Sequence, residues 1–75
     1  MLNKRYLPSI AALQCFEAVT RHLSFTRAAE ELNLTQSAVS KQVASLEAAL
    51  GSRLLTRTTR SLALTEEGAR YFEQA

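Results

Sequence analysis

Apolar positions recur first at helical spacing, then in two short Leu- and Thr-rich runs, then at helical spacing again. After Pro8 and Ser9, residues Ala12, Leu13, Phe16, Val19 and Leu23 fall on one stripe at about 100° per residue, with Gln14, Glu17 and Arg21 opposite. Ser9 is a good N-cap, so a first helix is predicted to run to about His22. Glu17 and Arg21 stand in the favourable i,i+4 order on its wet face. Ser24 then caps a shorter helix, Phe25–Leu32, with Phe25, Ala28, Ala29 and Leu32 inward. The alanine pair allows another helix to cross closely. Asn33 tolerates the left-handed conformation that stops a helix, and Leu34 is expected to plug the corner. Thr35 caps a third helix, Gln36–Leu50, which Gly51 ends. Its buried seam is narrow, because Val39, Val43, Leu46 and Leu50 lie within about 60° of one another.

The runs Leu54–Arg57 and Ser61–Leu64 read as the strands of a hairpin. Thr58, Thr59, Arg60 and Ser61 include no glycine, which disfavours a two-residue primed turn and predicts a longer loop. Thr65 caps a fourth helix with Glu66 and Glu67 in its first turn, where the helix dipole favours acids. Gly68 lowers helix propensity by about 1 kcal/mol, so close packing is expected there. Met1–Leu7 is a loose lead-in. The order helix, helix-turn-helix, hairpin, helix makes the fold class mainly α: a winged helix-turn-helix.

Composition narrows the function. A chain of 75 residues, 47% hydrophobic, is one domain at most. It buries only about 60–65% of its unfolded surface, which leaves little room for a deep catalytic cleft. The net charge of +2 says less than its distribution. Lys41 is the sole charge between Leu32 and Leu46, and Arg53, Arg57 and Arg60 stand without an acid between Gly51 and Thr65. One side is therefore expected to be basic and suited to phosphates, although an ordinary mixed surface would read similarly. The single cysteine, Cys15, excludes an internal disulfide and is expected to be a small packed residue in a reducing cytoplasm. Lys4 and Arg5 precede an apolar stretch too short for a secretory signal, and no run is long enough to span a membrane.

The third helix carries the candidate chemistry. With its seam so thin, Ser37, Lys41, Ala44, Ser45 and Ala48 point away from the core, and Gln36 and Ser40 flank them. Gln36 can pair with adenine, Ser37 and Ser40 can donate or accept at base edges, and Lys41 can reach guanine or phosphate. The first turn, opened by Thr35, offers unpaired N–H groups to an anion or a base edge. Thr26 and Arg27, at the start of the second helix, would sit over a DNA backbone and fix register. In the wing, Arg60 is nearest the tip and suited to a narrow minor groove, and Arg57 to a phosphate. For Arg53, a bland reading (a salt bridge or solvent) and DNA contact remain equally open. A polar helix face alone would more often be plainly solvated. The preceding helix-turn-helix and the motifs below favour DNA.

Leu13-x-x-Phe16-Glu17-x-Val19, Ser24-Phe25-Thr26-x-Ala28-Ala29-x-x-Leu32, Thr35-Gln36-Ser37-Ala38-Val39-Ser40 and Leu46-Glu47-x-x-Leu50-Gly51 resemble the amino-terminal signature of LysR-type transcriptional regulators. So does the segment from Leu54 to Gly68. Leu55 stands where the family more often has Phe, and Ser61 where many members have Gly. The resemblance implies a DNA-binding domain over residues 1–75, with core and wing at 9–64 and the start of a linker helix at 65–75. A homodimer through that helix and its continuation would bind palindromic double-stranded DNA, and any small-molecule effector would act through a ligand-sensing domain outside these residues. A winged helix used only for protein contact would carry an apolar outer face, whereas Ser37, Lys41 and Ser45 stand there. No nucleophile–base pair, metal-ligand cluster or glycine-rich loop is evident, so no enzyme, metal or cofactor is expected.

Overall fold

The structure, a computed structural model, describes residues 9–57 and 61–74. The lead-in Met1–Leu7 and the wing tip with Thr58, Thr59 and Arg60 lie outside the described residues. The elements are α1 (Ile10–His22), α2 (Phe25–Leu32), α3 (Gln36–Leu50), β1 (Leu55–Arg57), β2 (Leu62–Leu64) and α4 (Glu66–Gln74). This is a three-helix core with a two-stranded wing and a fourth helix.

Local caps set the helix boundaries. Ser9, Ser24 and Thr35 each have extended backbone, and their hydroxyls accept from the N–H of Ala12, Arg27 and Ala38, respectively. Each cap satisfies one otherwise orphan donor and is worth about 1 kcal/mol. Asn33 (φ 61°) and Gly51 (φ 69°) end α2 and α3 in the left-handed region, and both turn their N–H groups back onto the preceding helix. At α4, Thr65 Oγ1 accepts from Gly68 N at 2.9 Å, as a capping hydroxyl should.

The core forms where α1 packs on α2 and α3. Ala12, Cys15, Phe16, Ala18 and Val19 of α1 meet Phe25, Ala28 and Ala29 of α2 and Val39, Val43 and Leu46 of α3. Burial raises the Cys15 thiol pKa by desolvation, in keeping with a packing role. The Phe16 ring touches Tyr71 and Phe72 at centroid distances of 5.8 and 6.2 Å, which seats α4 against α1.

Three leucines expected inside are exposed. Leu23, at 53% exposure, is the left-handed C-cap of α1 (φ 50°), so the helical phase that put it on the stripe has already ended. Leu34, at 45%, does not plug the corner, which is closed by the bond from Leu34 N to Ala29 O. Leu50, at 36%, lies at the last turn of α3, where the seam runs out.

The strands pair antiparallel with Leu55 opposite Leu64 and Arg57 opposite Leu62, leaving residues 58–61 between them. Each strand starts one residue later than its sequence run. Leu54 is drawn out of the ladder because its N–H goes to Glu47 and its carbonyl accepts from Thr65 N. Leu55 is nonetheless buried. Gly68 packs on this junction, where an added Cβ would overlap the Leu54 carbonyl oxygen and stand 2.9 Å from its carbon.

Candidate nucleic-acid interface

The face of α3 opposite Val39, Val43 and Leu46 is open. Gln36, Ser37, Lys41, Ala44 and Ser45 are exposed and Ser40 is half-buried. Thr35, Thr26 and Arg27 are exposed beside them, at the starts of α3 and α2. Lys41 and Arg27 form no ion pair among the described residues, so their charge is available to an anion. Two acids of α1 and α2, Glu17 and Glu31, are engaged elsewhere. Arg21 holds Glu17 and Glu31 together at 2.7 Å each, and His22 Nε2 lies 2.6 Å from Glu31. That cluster ties α1 to α2. It holds the Glu31 carboxyl down to about 2, chiefly through the Arg21 hydrogen bond and then His22, and it lowers Glu17 as well, chiefly through Arg21.

Arg57 is not the free cation that its place in the wing suggested. Its Nη2 donates to Ser40 Oγ at 3.1 Å, and its Cζ lies 4.2 Å from the centroid of the Phe25 ring. One side chain therefore joins the wing, α3 and the start of α2, with a cation–π contact worth about 0.5–1 kcal/mol. Arg57 and Gln36 border a shallow cleft of about 280 Å³ together with Ser24, Phe25 and Ser61. Arg60 lies outside the described residues. Arg53 sits near Glu47, with Nε 3.8 Å from the carboxylate, which favours its ion-pair reading.

Glu47 is the residue whose role sequence reasoning missed. Its Oε2 accepts from the backbone N–H of Leu54 at 2.8 Å and of Leu55 at 3.2 Å, fastening the wing to α3. Thr65 makes the matching bond on the far side, donating its hydroxyl to Arg53 O and its N–H to Leu54 O. A signal was present. Glu47 is about 40° from Val43 around the helix, too near the seam for a fully solvated acid.

Fold and exposed face together define a winged helix-turn-helix module whose third helix is available to a groove. The family described as "Bacterial regulatory helix-turn-helix protein, lysR family" matches residues 10–69. The chain belongs to this family. It is 61% identical over 71 residues to the glycine cleavage system transcriptional activator of Escherichia coli (strain K12), covering 95% of this chain and 23% of the relative. It is 58% identical over 66 residues to the HTH-type transcriptional activator AmpR of Providencia stuartii, covering 88% and 23%, respectively. The chain thus spans about a quarter of the length of these relatives. Among solved structures, the BenM_DBD/catB site 1 DNA complex superposes with a TM-score of 0.84 at 36% identity, covering 88% of this chain and 74% of that one. Among the described residues no three His, Cys, Asp or Glu side chains group to hold a metal, and no helix is long and apolar enough to cross a membrane.

Proposed function

We propose that this chain is the sequence-specific double-stranded-DNA-binding domain of a LysR-type transcriptional regulator, with α3 in the major groove. The observation that carries the reading is the open polar flank of α3, packed through a seam of three buried residues. Gln36, Ser37, Ser40 and Lys41 face base edges, while Thr35 and the first N–H groups of α3 approach the backbone. Thr26, Arg27 and Arg57 fix register, the last also through Ser40, and Arg60 enters the minor groove. The solved complex of BenM_DBD with catB site 1 DNA supports this assignment by likeness of fold. The activator names of the relatives support a role in transcription.

Homodimers form through residues 65–75 and their continuation, so two half-sites about one helical turn apart are read by two copies of α3. The protein acts in the bacterial cytoplasm, on the nucleoid when DNA-bound, and a small-molecule effector acts through a further domain. No catalytic step is part of this function.

Selection of bound sequences from a random DNA pool at two ionic strengths tests the proposal. A defined motif should emerge, and affinity should fall steeply with salt. With two phosphates neutralised per module, by Arg27 and Arg57, the loss between about 50 and 200 mM salt is about 12-fold. No enriched motif at either salt concentration would contradict the proposal.

A further inference from the structure

We infer that Arg57 sets the base preference of Ser40 by leaving its hydroxyl as a hydrogen-bond donor toward DNA. The inference rests on the reading of α3 as the helix that faces the groove, and it adds what one of its side chains reads. A guanidinium has donors only, so in the 3.1 Å contact between Arg57 Nη2 and Ser40 Oγ the serine oxygen must accept. Ser40 Oγ has no other hydrogen-bond partner among the described residues. Its single proton is therefore free for a neighbour outside the protein. An unencumbered serine donates or accepts at a base edge with equal ease and discriminates poorly. Beside a cation that already occupies a lone pair, the oxygen is a weaker second acceptor and the O–H a stronger donor. Ser40 then favours guanine N7 or O6, adenine N7 and thymine O4 over the exocyclic amines of cytosine and adenine.

Phe25 makes the arrangement persistent. Its ring, at the start of α2, lies under the Arg57 guanidinium at 4.2 Å and restrains it from swinging to solvent. Two contacts on two different helices fix one side chain of β1. Arg57 is thus a positioning residue, acting on specificity through Ser40.

The test compares selection profiles from a random DNA pool for the wild type, Ser40→Ala, Arg57→Lys and Arg57→Met, with thermal melts to check that each is folded. Ser40→Ala identifies the base pair that Ser40 reads, because selectivity falls there. Lysine still donates to Ser40 and covers Phe25, so Arg57→Lys keeps the wild-type preference at that pair. Methionine covers Phe25 without donating, so Arg57→Met should enrich bases offering an exocyclic amine there by about 3–10-fold, the worth of one hydrogen bond. Other positions should keep their preferences while overall affinity drops evenly. An Arg57→Met profile identical to the wild type at the Ser40 position would overturn the inference, as would a Ser40→Ala profile with no change anywhere. A wild-type protein that enriches no sequence would overturn the DNA-binding reading itself, and the coupling with it.

Discussion

Replacing Glu47 should release the wing from the recognition helix and cost a large part of the stability of so small a domain. Its side chain is 16% exposed, and its carboxylate receives two backbone N–H groups, from Leu54 at 2.8 Å and Leu55 at 3.2 Å. Glu47→Ala leaves both without their acceptor, and each such loss costs about 1–3 kcal/mol. Both bonds end on one oxygen, and the alanine space admits some water, so the sum is about 2–4 kcal/mol. The Arg53 contact at 3.8 Å, with Arg53 73% exposed, adds little. Glu47→Gln keeps an oxygen in place and loses only charge assistance, about 1 kcal/mol. At about 4–8 °C per kcal/mol for a domain of this size, Glu47→Ala should lower Tm by at least about 8 °C, and Glu47→Gln by roughly half as much or less. Thermal melts followed by circular dichroism give both values, and hydrogen exchange should show the Leu54 and Leu55 amides opening in the alanine variant. Equal losses in the two variants, or an alanine variant as stable as the wild type, would refute the fastening role.

Gly68→Ala should destabilise by about 1–3 kcal/mol in denaturant melts despite the better helix propensity of alanine, because the new Cβ would overlap the Leu54 carbonyl. A gain in stability would mean that α4 is not seated there. Thr20→Val should be neutral or stabilising by up to about 1 kcal/mol, since Thr20 Oγ1 is buried without a hydrogen-bond partner; a clear loss by the same assay would reveal a partner for the hydroxyl. Acid should weaken the link between α1 and α2. Glu31, at about 2, and Glu17 both titrate below their unfolded values because of Arg21. Their stabilisation is therefore present above about pH 4.3 and fades as pH falls toward 2. Arg21→Met should flatten the dependence of Tm on pH across that window, an effect reduced by salt because the groups are exposed. An unchanged slope would contradict the ion-pair account.

Helix limits were legible because they rest on neighbours in sequence. Ser9, Ser24 and Thr35 cap within three residues, and Asn33 and Gly51 stop helices by their own backbone preference. The thin seam of α3 was equally local, since Val39, Val43 and Leu46 repeat at helical spacing. Leu23 was misread because periodicity carries no meaning once a residue leaves helical φ and ψ, and Leu34 because the corner closes through its backbone N–H and not its side chain. Helical spacing placed Glu47 beside the seam, but its partners and those of Thr65 depend on which backbone groups lack one after folding, which spacing does not reveal. The position of Arg57 was anticipated but not its engagement, because Ser40 and Phe25 approach it only through tertiary structure.

The claim on which the account depends is that the polar flank of α3 meets base edges in the major groove. Methylation interference on a site recovered from the random pool tests it directly, because guanine N7 opens only into that groove. The account predicts that methylating N7 of guanines at the centre of each half-site abolishes binding. Binding indifferent to N7 methylation throughout the site would contradict it.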